Sequence, residues 1–147
     1  MPLTTAQSTA FRTAILADAA LAAHRTAGNH GAIAAYYATA GTGTIWRPDI
    51  STTELNTAIV WSEFALLSVQ LQNTYHALIA TSNVDATSAN IRGGFTAIFA
   101  AGATRTNLTA LAQRVPTKFE QLFTTSQVCS LFGYTPSVTD VVSALGS

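Results

Sequence analysis

The sequence predicts a mainly α fold: one helical domain of about five to seven helices, with an extended loop and a C-terminal extended arm or short strand. Apolar residues recur at 3–4 spacing through most of the chain, the period of one helix face. Serine, threonine and asparagine stand where those stretches begin, as N-caps do. Strand-like runs are confined to two places. At 147 residues the chain has the size of one ordinary domain. The expected layout is a helical domain over 1–125, with 126–147 forming an arm with a short terminal helix in the same domain.

The first helix is expected from Thr4 to about Ala23. Thr5 is read as its N-cap, Leu3 as half of a hydrophobic staple, and Phe11, Ile15 and Ala19 as its buried stripe. Gly28-Asn29 ends it. A short helix over about Gly31 to Thr39 carries Ile33, Tyr36 and Tyr37, until Gly41-Thr42-Gly43 breaks the pattern. Thr44 to Asp49 is expected to be extended, because a residue preceding proline, here Arg47 before Pro48, avoids the α region. Ser51 and Glu54 have the capping-box spacing, so a helix starts at Thr52. It pauses around Val60 to Glu63 and restarts as the longest element, Glu63 to Thr81.

Asn83 ends that helix, and Asp85 or Ser88 caps another running to about Ala101. Gly93-Gly94 within it costs about 1 kcal/mol per residue relative to alanine, which suggests either a close helix neighbour or a kink. Thr106 to Gln113 reads as a short helix. Pro116 is placed as the first residue of the next, to about Thr125, with Phe119, Leu122 and Phe123 buried. Val128 to Tyr134 reads as a strand or extended arm, and Ser137 caps a final helix through Leu145.

Composition narrows the function. There are 27 Ala and 23 Thr, only 10% of residues are charged, and seven cations balance seven anions. The average soluble protein is about 25% charged. A duplex-DNA binder working by phosphate neutralisation is not expected from so few, scattered and balanced charges. No run reaches the ~18 apolar residues of a membrane span, and no signal peptide is expected at the start. The single cysteine, Cys129, lies among Val128, Leu131 and Phe132 and reads as a buried apolar residue. Short neutral side chains lose little entropy on burial, and zero net charge removes self-repulsion between copies. The composition therefore suits extensive protein–protein contact, although an alanine-rich compositional bias would give the same numbers.

No catalytic, cofactor-binding or metal constellation stands out. His24, His30 and His76 lack the spacing that places two ligands on one face. Asp49 with Glu54, or Glu63 with a distant partner, are the carboxylate pairs available for acid–base work, and helix capping explains the first of these. Neither Gly41-Thr42-Gly43 nor Gly93-Gly94 has the context of a phosphate loop. The binding candidates are Trp46, Arg47 and Tyr134, because aromatic and arginine side chains dominate interface hot spots. Trp46 stands equally as interface residue and core anchor, whereas Trp61, beside a helix start, reads as core.

Several stretches together resemble a group of small tailed-bacteriophage structural proteins. They are Leu3-Thr4-Thr5-Ala6-Gln7 with Ala14-Ile15-Leu16-Ala17-Asp18, then Ala32-Ile33-Ala34-Ala35-Tyr36-Tyr37, and the segment around Trp46-Arg47. The similarity is strongest across Ser88-Ala89-Asn90-Ile91-Arg92-Gly93-Gly94-Phe95 and Leu108-Thr109-Ala110-Leu111-Ala112-Gln113-Arg114, and continues through Thr117 to Phe123. It covers nearly the whole chain, departing from the group's longer Gly/Ser-rich turn over Ser126 to Ser147. The resemblance implies a virion protein of head–tail connector or adaptor type, located in the neck and assembled in the host bacterial cytoplasm. Its implied partners are copies of itself in a ring and the portal and tail or neck proteins, with no specific nucleic acid, membrane or cofactor. The segments expected to order against neighbours are Gly41 to Ile50 and the tail from Ser126. A capsid decoration (cement) protein is the alternative, and a small enzyme or ligand-binding domain a more distant one.

Overall fold

The structure, a computed structural model, describes residues 2–123 and 131–146. It is mainly helical with a few two-residue strands. The elements in chain order are α1 (Thr5–Ala17), a 3-10 turn (Ala19–Leu21), α2 (Ala22–Thr26), α3 (His30–Ala38), β1 (Ile45–Trp46), β2 (Ile50–Ser51), α4 (Thr52–Ala58), α5 (Trp61–Phe64), α6 (Val69–Leu78), β3 (Asn83–Val84), α7 (Ala89–Ile98), α8 (Ala103–Ala112), β4 (Gln113–Arg114), a second 3-10 turn (Glu120–Leu122) and α9 (Val138–Leu145). They fall into two compact units. One is the continuous stretch 44–114, and the other is built from the residues on either side of it.

In the outer unit, the cap of α1 lies one residue before the expected Thr5. Thr4 is the cap, and its hydroxyl and the Gln7 side chain form a reciprocal capping box. The helix also stops six residues earlier, at Ala17. The Asp18 carboxylate accepts from Ala20 N–H at 2.9 Å and starts a new turn. A short acidic side chain here competes with the helix for a backbone donor. Arg25 closes the junction, its Nη1 donating to the Asp18 carbonyl at 2.8 Å. Gly28 takes φ +63°, and Asn29 caps α3.

The expected helix from Pro116 is instead a bridge and one 3-10 turn. Lys118 N–H donates to the Thr39 carbonyl and Phe119 N–H to the Tyr37 carbonyl, which draws this backbone to the end of α3. Thr117 and Glu120 then cap one another, at 2.8 and 3.2 Å. Phe119 and Phe123 are buried as expected, and Leu122 is half-buried.

Of the expected arm over Val128 to Tyr134, Val128 to Ser130 lie outside the described residues, as does Cys129 with them. Leu131 to Gly133 form a turn closed by Tyr134 N–H on the Leu131 carbonyl, with Gly133 at φ +71°. The final helix starts at its Ser137–Asp140 capping box, as the sequence predicts, and packs against α1 and α3. This unit's core centres on Phe11, whose ring meets Tyr37 at 5.1 Å and Phe119 at 4.9 Å, both edge to face.

In the inner unit, the Ser51–Glu54 capping box starts α4 at Thr52, as expected. The predicted long helix from Glu63 to Thr81 is divided. Ser68 caps α6 by accepting from Leu71 N–H, and the Gln72 amide donates to the carbonyls of Phe64 and Leu67 at 3.2 Å each. These bonds satisfy the carbonyls a continuous helix would have used.

Ser88 caps α7, whereas Asp85 closes the preceding turn onto Thr87. A Cβ on Gly94 would lie 3.0 Å from Leu78 Cδ1, while one on Gly93 would meet nothing. Only the second glycine therefore serves the close packing of α7 on α6. Two antiparallel pairings, Ile45 with Arg114 and Ile50 with Val84, complete the unit around the core residues Leu55, Tyr75, Ile98 and Phe99.

Candidate functional site

The inner unit carries an apolar cleft of about 250 Å³. Helical periodicity builds two of its walls. On α7, Ile91, Arg92 and Phe95 line it together with the C-cap Phe99, and on α8 Arg105, Leu108, Thr109 and Ala112 do. Trp46 enters from β1. The floor is buried and apolar, formed by Ile50, Leu55, Val84, Ala86, Phe99 and Leu108. Thr96, Arg105 and Thr109 are exposed at its edge.

Both arginines of the cleft spend one nitrogen on backbone. Arg92 Nη1 donates to the carbonyls of Ala86 and Thr87 at 2.7 and 2.8 Å, and its guanidinium carbon lies 4.6 Å from the centre of the Trp46 ring. Arg105 Nη1 donates to the Ala100 carbonyl at 3.1 Å. Among the described residues, neither guanidinium lies within ion-pair distance of a carboxylate.

The sequence-predicted candidates are not brought together into one site. Trp46 lines the cleft and is half-buried. Arg47, its neighbour in sequence, is a brace: it pairs with Glu54 at 3.0 Å and Asp49 at 3.5 Å, and its backbone N–H donates to the Ala112 carbonyl. Tyr134 belongs to the outer unit, where its hydroxyl donates to Asp140 Oδ2 at 2.8 Å and its ring packs 5.8 Å from Phe119.

Trp61, expected in the core, is 52% exposed and touches Phe64 by its edge. Helix α5 is a single turn that buries none of its residues. Together with Leu66 (87% exposed) and Val69 (71%), Trp61 gives the α5–α6 corner an apolar surface.

The carboxylates are structural. Hydrogen bonds from Ser51, then the Arg47 guanidinium, hold Glu54 down at about 2. Glu63 is lowered by hydrogen bonds from Thr104 and from Ala103 N–H. It bonds the first backbone donors of α8 at 2.9 and 2.8 Å, standing in for the side chain that Gly102 lacks as N-cap. Burial opposes the ionisation of Asp140, but bonds from Ser137 and Tyr134 outweigh it and its pKa is lowered. Desolvation pushes the Tyr37, Tyr75 and Tyr134 hydroxyls up to about 12.

His24 lies within α2, His30 begins α3, and His76 packs against Phe64 and Tyr75. Among the described residues, no three His, Cys, Asp or Glu side chains gather as a metal site would require, and no helix is long and apolar enough to cross a membrane.

One pattern covers the whole chain. Each of the seven cations and seven anions has a partner within the protein. Arg12 reaches the Leu145 carbonyl at the end of α9, Arg25 the Asp18 carbonyl, and Lys118 Nζ lies 3.6 Å over the Tyr36 ring. Asp18 and Asp85 bond backbone N–H groups of their own turns.

The cleft was not foreseen from the sequence. Ile91, Phe95 and Phe99 are legible as one apolar face, but nothing local shows that it stops short of closing against α8. The chain matches no family model, no curated protein and no solved structure.

Proposed function

We propose that this protein is a structural subunit of a tailed-phage particle: a ring-forming adaptor that joins the portal and head to the tail. Its work is contact between copies and with neck proteins, without bond chemistry. The observation that carries this reading is the internal use of the charges. Capping helices and bracing turns leaves a surface of alanine, threonine and other short neutral side chains, which cost little entropy to bury and far less desolvation than unpaired charges.

The α5–α6 corner adds an apolar contact point in Trp61, Leu66 and Val69. The mainly helical architecture weighs toward a connector and away from a capsid decoration protein, for which a β-rich fold would be expected. Head-to-tail association of identical subunits closes into a ring when the rotation between neighbours permits it.

The test is immunogold labelling of purified particles of the encoding phage, together with quantification of the protein per particle. Label at a single vertex, with far fewer copies than the shell protein, supports the adaptor. Label over the whole shell makes it a decoration protein, and a particle without the protein overturns both.

A further inference from the structure

We propose that the cleft between α7 and α8 is an anchor site for an acidic, apolar segment of a neighbouring protein. One apolar side chain would fill the cavity, and a flanking carboxylate would meet Arg92 and Arg105. This deepens the reading of the protein as an assembly subunit and rests on it.

Size separates a side chain from a cofactor. Small-molecule sites run from about 300 to 1,000 Å³, whereas about 250 Å³ suits one large side chain or two small ones. The layout is that of an interface hot spot: an apolar buried floor, with a polar rim of Thr96, Arg105 and Thr109.

Charge selects the occupant. The acids of the same unit are already committed: Asp49 and Glu54 to Arg47, Glu63 to α8, and Asp85 to Thr87. Arg92 and Arg105 are left with positive charge and no described carboxylate. A guanidinium has five N–H donors, and among the described residues each of these two donates through Nη1 alone. The remaining donors suit a carboxylate, which can accept two of them side by side. The Trp46 ring under Arg92 holds that guanidinium in place.

The two tryptophans make the test direct, because Trp46 lines the cleft and Trp61 does not. The full chain is titrated by NMR, following the two indole N–H signals, with Trp61→Phe assigning them. The probes are a blocked pentapeptide with phenylalanine between two aspartates and its counterpart with phenylalanine between two lysines.

The acidic peptide is expected to move the Trp46 signal and leave Trp61 in place, binding about fivefold tighter than the basic one. Added salt should narrow that preference. Arg105→Glu, an exposed change, should cost the acidic peptide about fivefold in affinity or more. Equal response to both peptides, or none at Trp46, overturns the proposal. Octanoate binding more tightly than the acidic peptide also overturns it and assigns the cleft to a small amphiphile. The titration uses dispersed protein, so a negative result leaves ring formation and particle location to their own tests.

Discussion

Individual polar side chains in this protein act mainly on its own backbone, and that makes their effects on stability predictable. Glu54 ionises at about 2 against an ordinary 4.5, and Glu63 and Asp140 are also lowered. For a carboxylate whose folded pKa is depressed, the stabilisation is complete above the unfolded pKa and is lost as pH falls through the folded one. As far as the carboxylates decide it, thermal melts should therefore be flat from about pH 5 up to the tyrosine range and fall steadily from pH 4.5 towards 2, with Glu54→Gln reducing the slope. The tyrosine hydroxyls work at the other end. Their folded pKa of about 12 lies above the ordinary 10, so stability should drop as pH rises from 10 towards 12.

Tyr134→Phe should cost about 1 kcal/mol, because it removes a hydrogen bond to Asp140 from a half-buried site. Urea unfolding would measure it. An unchanged midpoint, combined with impaired assembly, would return Tyr134 to the interface role its residue type first suggested.

At the scale of elements, the two glycines of α7 separate propensity from packing. Gly93→Ala should stabilise by about 1 kcal/mol, since a Cβ there meets nothing and alanine is the better helix former. Gly94→Ala should gain less or lose, because its Cβ would press on Leu78. Equal gains at both positions would mean that α6 and α7 pack less closely than described.

What the sequence made legible follows the same division between local and distant causes. Ser51 with Glu54, Ser88, and Ser137 with Asp140 all lie within three residues of the donors they cap, so the starts of α4, α7 and α9 could be read directly. The break at Asp18 and the division at Ser68 were also local, but there a continuous apolar stripe masked the competing side-chain bond. The α8 cap could not be read at all, because Glu63 lies 40 residues before Ala103. Pro116 misled for a related reason: the carbonyls that draw Lys118 and Phe119 away from a helix belong to Thr39 and Tyr37. The cleft depends on how two helix faces meet around Trp46, which no local pattern specifies.

For the molecule as a whole, low charge and a neutral surface would ordinarily favour uncontrolled association. On the proposed reading, an assembly subunit would use that tendency at chosen contacts, and the corner where Trp61, Leu66 and Val69 are exposed would be one of them. Leu66→Asp should weaken self-association in sedimentation while changing stability by no more than about 0.5 kcal/mol, as expected for an exposed site. Unaltered association would remove the corner from the contact surface.

Central to the proposed function is a ring of this chain at the head–tail junction of a tailed phage, and imaging particles that carry the protein at subunit resolution tests it most directly. The account predicts a closed ring of copies between portal and tail, with the α7–α8 cleft filled by an acidic segment of a neighbour. Copies spread over the capsid lattice, or a junction built without this protein, would contradict it.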